Sequence, residues 1–103
     1  MKEMNRADIL HKAEEYICGK RQEEYGEIED NFTCIADLWS AYKGVKFDAR
    51  EVAIMMALLK IARMRKPGHI DSAIDCAGYC ACAGQLETTL YKNKDNGETD
   101  SNV

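Results

Sequence analysis

The stretch that decides the fold is residues 60–79, which read KIARMRKPGHIDSAIDCAGY. Apolar residues recur at helical spacing on both sides of a Pro67-Gly68 break. A tight turn at this break would make the two segments an antiparallel helix hairpin. The stretch therefore predicts two packed helices, and the rest of an all-α domain can be built around them.

Four charged residues flank this break and interrupt otherwise apolar helix faces. Residues at one level of an antiparallel hairpin have residue numbers with a nearly constant sum. This rule sets Arg63 opposite Asp71. It also sets Lys60 opposite Asp75. Unpaired charge is costly among packed apolar side chains, so the four residues form either a structural ion-pair lock or a functional site.

Apolar residues at three- and four-residue steps predict four helices, over residues 6–18, 29–43, 48–66 and 70–91. Gly19 and Gly44 stand where helix C-terminal caps are preferred. Asp48, with Glu51 three residues later, is a capping-box start for the third helix. This third helix is apolar nearly all the way round, so we expect it to be the central, most buried one.

The fourth helix is rich in small residues. It contains Gly78 and Gly84, each of which costs about 1 kcal/mol of helix propensity, and we expect close packing to offset this cost. Together the helices make one all-α, four-helix domain over residues 1–92. We expect the polar residues 93–103 to be a disordered tail.

Length, charge and cysteine content narrow the function classes. The chain has 103 residues, a formal net charge of -4 and five cysteines. The acidic balance disfavours nucleic acid as a partner, and the longest apolar run, residues 52–59, is too short to span a membrane. An odd number of cysteines is typical of a reducing cytoplasm, where we expect the protein to be. Because so short a chain builds only a modest core, we expect a homodimer or homotetramer.

Asp71 and Asp75 lie four residues apart and share one face of a helix. Such a pair offers hard oxygen ligands to Mg²⁺ or Mn²⁺, with substrate phosphates and waters completing the shell. The alternative is that Lys60 and Arg63 neutralise the two aspartates. The same two cations are also possible phosphate ligands.

The connection between the first two predicted helices offers a second group of polar residues. Tyr25-Gly26 can place an aromatic ring against a base, because glycine adopts backbone conformations closed to other residues. Asn31 and Arg21 are further possible ligand contacts. Glu24 and Glu27 could add oxygen ligands to a metal. The alternative is a solvated acidic loop.

Three cysteines of the fourth predicted helix, Cys76, Cys80 and Cys82, raise the question of a zinc site. Structural zinc ligands usually come as short knuckles with a second pair elsewhere in the chain. Cys18 and Cys34 do not form such a pair. The three cysteines are better interpreted as small buried thiols.

With these residues in view, the chain resembles a group of small phage and prophage proteins of unassigned function. The resemblance covers residues 8–85. It rests on four motifs: Arg21-x-x-x-Tyr25-Gly26, Asn31-Phe32-x-x-Ile35-Ala36-x-Leu38-Trp39, the segment from Val52 to Arg63, and Asp71-x-x-x-Asp75-x-x-Gly78-Tyr79.

That group is in turn similar to the all-α nucleoside triphosphate pyrophosphohydrolases of the MazG type. The resemblance implies a MazG-like fold, completed by oligomerisation, and a site where carboxylates hold magnesium against a nucleotide. Asp71 and Asp75 would match the second acidic pair of that superfamily. This chain spaces the pair by three residues rather than two, and Glu24 and Glu27 lie far upstream of the expected first pair. The resemblance therefore implies nucleotide binding more directly than hydrolysis.

Two hypotheses follow from the sequence. In the first, Asp71, Asp75, Glu24 and Glu27 hold Mg²⁺ or Mn²⁺. Five residues then contact the nucleotide: Lys60, Arg63, Tyr25, Asn31 and Arg21. The product of cleavage would be pyrophosphate and a monophosphate, with no catalytic residue assigned. In the second, the protein is a non-enzymatic phage interaction protein whose Lys/Arg–Asp charges are a structural lock.

Overall fold

The computed structural model describes residues 3–91, and its regular structure is entirely helical over this range. The tail expected at residues 93–103 lies outside the described residues. Five α-helices follow one another along the chain: α1 Arg6–Glu15, α2 Arg21–Tyr25, α3 Ile28–Lys43, α4 Ala49–Arg63 and α5 Ile70–Leu90. A π-helical turn, Tyr16–Lys20, joins α1 to α2 without a break, so the described residues form four continuous helical stretches. The all-α prediction is confirmed.

The first helical stretch is longer than predicted. We expected it to end at Gly19, but the chain continues through the π-helical turn, in which the Arg21 N–H donates to the Tyr16 carbonyl. The stretch ends instead at Gly26, whose φ of 82° is the positive value that glycine adopts most easily. A glycine inside a helix lowers stability without ending the helix, and Gly19 is such a case. As a result, the polar segment after Gly19, which was expected to be a connection, is mostly helical and forms α2.

The other predicted helix ends agree closely with the structure. Gly44 caps α3 in the left-handed conformation, with φ 72°. At the start of α4 the Asp48 side chain accepts from the Glu51 N–H at 2.8 Å, and the Glu51 side chain accepts from the Asp48 N–H at 3.0 Å. The helix α4 ends at Arg63 rather than near residue 66. The Met64 and Arg65 N–H groups donate to the Ile61 and Ala62 carbonyls, which are only three residues back, and Pro67 then disfavours a helical conformation at Lys66.

The predicted hairpin forms from α4 and α5, which make the most extensive contact between helices in the described chain. The α1 helix packs on α5, and α3 packs on α4. The core cluster lies where α3, α4 and α5 meet and consists of Phe32, Ala49, Ala53, Cys82 and Leu86. This arrangement sets the first helical stretch beside the α5 face that carries Asp75.

The two α5 glycines have different environments. A Cβ on Gly78 would lie 3.0 Å from Ile17 Cγ2, so the π-helical turn approaches α5 closely at this point. Gly84 is exposed and would have no atom within 4 Å of its Cβ. Close packing therefore offsets the helix cost of Gly78, whereas the same expectation was wrong for Gly84.

We expected α4 to be buried on all sides, but only one of its faces is buried. One face carries fully buried Val52 and Ala53. The opposite face is exposed, with Leu58 at 57% and Ile61 at 51%. Within residues 3–91 the main packing partners of α4 are α3 and α5, and two neighbours cover about half of a helix.

None of the helices within residues 3–91 has the length and apolar character needed to cross a membrane.

Candidate functional site

A cleft lies between the first helical stretch and α5, with the start of α3 as its third wall. Its apolar lining includes Ile17, Phe32, Ile74 and Gly78. Its polar lining comes from Arg21, Gln22, Tyr25, Asn31, Asp75 and Tyr79. The cavity measures about 40 Å³, which is room for a few water molecules.

Arg21 is the cationic residue of this lining. It stands on the first turn of α2, directly after the π-helical turn. Its pKa is raised above the ordinary value, chiefly by hydrogen bonding with the Tyr79 side chain and also by the nearby Asp75 carboxylate. Both neighbours therefore favour the charged guanidinium at this position in the cleft lining.

Tyr25 and Asn31 stand on either side of the Gly26 break. Tyr25 ends α2 and is 58% exposed, whereas Asn31 is half-buried on the first turns of α3. The Gly26 N–H donates to the Gln22 carbonyl at 2.9 Å, and the positive φ of Gly26 then turns the chain into α3. Gly26 does adopt the positive φ that other residues disfavour, and Tyr25 and Asn31 on either side of it both line the cleft.

Asp75 forms an ion pair with Lys60. The Lys60 Nζ lies 3.0 Å from the Asp75 Oδ2, and the two side chains are only 13% and 19% exposed. The hairpin register that the sequence predicted for this pair is confirmed. Within residues 3–91, no ion pair joins Arg63 to Asp71, and both of these residues are exposed.

The four predicted metal ligands do not come together. Asp71 lines a separate open cleft beside His11, Glu24 is exposed on α2, and the Glu27 carboxylate accepts from the Gln22 amide at 3.1 Å. No group of three or more His, Cys, Asp or Glu side chains suited to a metal occurs in the described part of the chain. Asp75 already neutralises Lys60, and this ammonium would oppose a cation. Within the described residues, the four predicted ligands are therefore not assembled into one site.

The comparisons with known proteins agree with the phage resemblance. Residues 8–87 match the model of a family described as a domain of unknown function, DUF6378. The chain belongs to this family. It is 52% identical over 81 residues to the Gene 55 protein of Mycobacterium phage L5, and 40% identical over 79 residues to the Gene 55 protein of Mycobacterium phage D29. These matches cover 77% and 76% of the DUF6378 chain.

The chain spans about half the length of these curated relatives, 50% and 52%. No solved structure matches it. The relatives and the family description name no activity, so any function has to be argued from the cleft of the DUF6378 domain itself.

Sequence reasoning assigned no site role to Tyr79, Phe32 or Gln22. The Phe32 and Tyr79 ring centroids are 6.2 Å apart, so the two rings form one aromatic wall of the cleft. Tyr79 lies four residues after Asp75 and therefore shares its α5 face, which is the signal that could have found it. Gln22 lies in the polar segment that was expected to be a connection.

The α5 cysteines of the DUF6378 chain are only partly the buried thiols that were predicted. Cys82 is buried in the core cluster, and burial raises the pKa of its thiol. Cys76 is half-buried, and burial raises its thiol pKa as well. Cys80 is exposed, which corrects the expectation for that residue. These thiols do not form a zinc site within the described residues.

Proposed function

We propose that this DUF6378 domain binds a small nucleotide at the cleft between its first helical stretch and α5. One observation carries the proposal. Arg21, Tyr25 and Asn31 lie within one eleven-residue segment, Asp75 lies 44 residues after Asn31, and the fold sets all four in the lining of one cleft. An arginine, an exposed aromatic ring and an amide supply the three kinds of contact that phosphate, base and sugar need.

Arg21 is the proposed phosphate ligand. A guanidinium offers several donors in a planar fork that matches phosphate oxygens, and it is charged at any physiological pH. Tyr79 is a neighbour that favours the charged form of this guanidinium. Asp75 could compete with a phosphate for the Arg21 guanidinium. Its ion pair with Lys60 neutralises part of the Asp75 charge and so weakens this competition.

Tyr25 and Asn31 are the proposed base and sugar contacts. Because the cavity holds only a few waters, a nucleotide base lies at its mouth rather than inside it. Tyr25, at 58% exposure, offers its ring at this mouth. The Asn31 amide can donate to and accept from a sugar hydroxyl.

Binding, rather than hydrolysis, is the function that we propose. Pyrophosphate release by a MazG-type mechanism uses carboxylates that hold magnesium. Here Asp71 and Asp75 line different clefts, and Asp75 is paired with Lys60. Arg63 and Lys60 lie outside the lining of the nucleotide cleft, so we assign neither of them a phosphate contact.

The second candidate function is a non-enzymatic interaction protein, and one observation favours it. The Lys60–Asp75 pair is largely buried, and such pairs can specify how two helices pack. In this case the cleft is a by-product of helix packing and binds no nucleotide. The pair itself is compatible with both functions, so ligand binding has to decide between them.

Isothermal titration calorimetry with nucleoside mono-, di- and triphosphates, with and without magnesium, tests the proposal. Arg21→Gln should weaken binding by roughly 10-fold or more, because a charge-assisted hydrogen bond contributes about 1.5–3 kcal/mol. Lys20→Gln is the matched control, since Lys20 is the exposed neighbour and does not line the cleft. No heat of binding across the panel, or equal losses in both variants, would overturn the proposal. A pyrophosphate-release assay on the same panel should give no turnover.

A further inference from the structure

The exposed face of α4 is apolar, which is unusual for a helix surface in contact with water. Five large apolar side chains on this helix are between 37% and 57% exposed: Ile54, Met55, Leu58, Leu59 and Ile61. At 3.6 residues per turn they cover the half of α4 that faces away from α3 and α5. The buried residues Val52, Ala53 and Ala57 occupy the other half. A helix that is apolar all round is normally buried on every side.

The α4 face also has the spacing of a helix that pairs with another helix. Met55, Leu58 and Ala62 follow one another at three- and four-residue steps, as the seam of a coiled coil does. Glu51, at the start of α4, lies four residues before Met55, and Arg65, in the turn after α4, lies three residues after Ala62. The seam is thus apolar in the middle, acidic at one end and basic at the other.

We infer that the α4 face is the contact surface for a second copy of this chain, paired antiparallel about a two-fold axis at Leu58. In this arrangement, residues equally far from Leu58 face each other across the axis. The pairs are Ile54 with Ala62, Met55 with Ile61, and Glu51 with Arg65.

Charge complementarity is what selects a second copy in this orientation. The antiparallel pairing joins Glu51 of each chain to Arg65 of the other, twice, at the rim of an apolar centre. A parallel pairing would set Glu51 against Glu51 and Arg65 against Arg65, and like charges in contact are unfavourable. The surface is therefore complementary to itself, as an interface with two-fold symmetry has to be.

Glu51 is available for this contact although it also caps α4. Its capping interaction uses one carboxylate oxygen, Oε1, which accepts from the Asp48 N–H at 3.0 Å. The other oxygen can accept from a guanidinium. Arg65 is exposed, so its guanidinium is accessible to a partner. Its backbone N–H donates to the Ala62 carbonyl at 3.4 Å, so Arg65 belongs to the turn that directly follows α4.

Sedimentation equilibrium of the full chain tests the inference. The wild-type protein should have twice the protomer mass. Leu58→Asp should raise the dimer dissociation constant by about 30-fold or more, as expected for a central apolar anchor. Leu38→Asp is the matched control, because Leu38 is exposed to 64% on α3 and lies outside the α4 face. Circular dichroism checks that both variants keep their helices.

A second experiment tests the orientation and does not depend on Leu58→Asp. Met55→Cys and Ile61→Cys are made in a chain whose exposed Cys18, Cys34 and Cys80 are replaced by serine. An antiparallel dimer should cross-link faster through a short bis-maleimide when the two variants are mixed than when either is alone. Residues 55 and 61 of opposite chains share one level, whereas two copies of the same residue are offset by about 9 Å along the helix. A monomeric wild type, a Leu38→Asp effect as large as that of Leu58→Asp, or cross-links in the separate variants rather than the mixture would overturn the inference.

Discussion

Replacing Asp75 by asparagine removes one charge of the Lys60–Asp75 pair and keeps the shape of the side chain. The loss leaves the Lys60 ammonium, 13% exposed, without its carboxylate partner. We expect Asp75→Asn to lower the free energy of unfolding. The metal-site interpretation gives the opposite sign, because removing one of two repelling carboxylates should cost little or even stabilise the metal-free protein.

The magnitude follows from the distance and the burial. At 3.0 Å and an effective dielectric constant of about 20, the gross attraction is on the order of 5 kcal/mol, most of which the desolvation of both groups offsets. Breaking a fully buried pair costs about 3–5 kcal/mol, and an exposed pair contributes about 0–1 kcal/mol. With 13% and 19% exposure, this pair lies between the two limits. We expect a loss of about 2–3 kcal/mol.

Urea unfolding and thermal melts, followed by circular dichroism at one fixed protein concentration, measure this loss. A change of about 2–3 kcal/mol corresponds to a Tm lower by roughly 10–20 °C for a domain of this size. A double-mutant cycle with Lys60→Met should show that the double variant loses less than the sum of the two single variants. Asp37→Asn, at an exposed α3 position, should change stability by less than about 0.5 kcal/mol.

Two results would refute this reasoning. The first is an Asp75→Asn variant as stable as the wild type, or more stable. The second is a wild-type Tm that rises with magnesium and a variant Tm that does not, since that pattern indicates that Asp75 binds metal rather than serving mainly as the partner of Lys60.

Two further predictions concern stability. Gly78→Ala should lower the free energy of unfolding in urea by about 1–3 kcal/mol, because the new Cβ would lie 3.0 Å from the stiff Ile17 side chain. Gly84→Ala should raise it by about 0.5–1 kcal/mol, because alanine favours the helix and meets no atom there. Equal effects of the two variants would contradict the packing described for α5. For Asp48, burial alone would raise the pKa, but hydrogen bonds from the Glu51 N–H and the Tyr91 hydroxyl lower it. The charged Asp48 carboxylate therefore contributes fully to folding stability above its pKa in the unfolded chain, which is about 4. This contribution is lost as the pH falls through the lower pKa that Asp48 has in the folded protein. The stability difference between wild type and Asp48→Ala should be about 1 kcal/mol at neutral pH and should shrink toward pH 2.

The hairpin and the helix caps could be predicted from sequence because local chemistry decides them. The Pro67-Gly68 break, the Gly44 cap and the Asp48 capping box each depend on residues within one or two turns. The Lys60–Asp75 contact followed from the hairpin register alone. In each case a short-range preference and the global fold agree.

The course of the chain after Gly19 could not be predicted in the same way. A glycine can end a helix or lie inside one, and Gly19 lies inside one. Ile17, two residues earlier, packs against Gly78 of α5, a contact that sequence patterns near Gly19 do not reveal. The π-helical turn has no simple sequence signal, yet it precedes the turn of α2 that sets Arg21 and Tyr25 on the cleft wall. The sequence therefore predicts these two residues as ligand contacts, and that remains a prediction, but it did not predict the helical wall that carries them.

The metal prediction depended on which residues share a face, and sequence supplies only part of this information. Asp71 and Asp75 do lie on one helix at a four-residue step. The α5 helix starts at Ile70, however, so Asp71 is on the exposed first turn, while Asp75 is covered by the neighbouring helices. The local spacing was correct, and the burial that separates the two carboxylates is a property of the tertiary structure.

Calorimetric titration of nucleotides into the wild-type chain, Arg21→Gln and Lys20→Gln tests the central claim most directly. At least one nucleoside phosphate should bind the wild type and Lys20→Gln with similar affinity. Arg21→Gln should bind the same nucleotide roughly 10-fold or more weakly, with or without magnesium. Binding that requires magnesium and survives Arg21→Gln, or no binding to the wild type at all, would contradict nucleotide binding through Arg21.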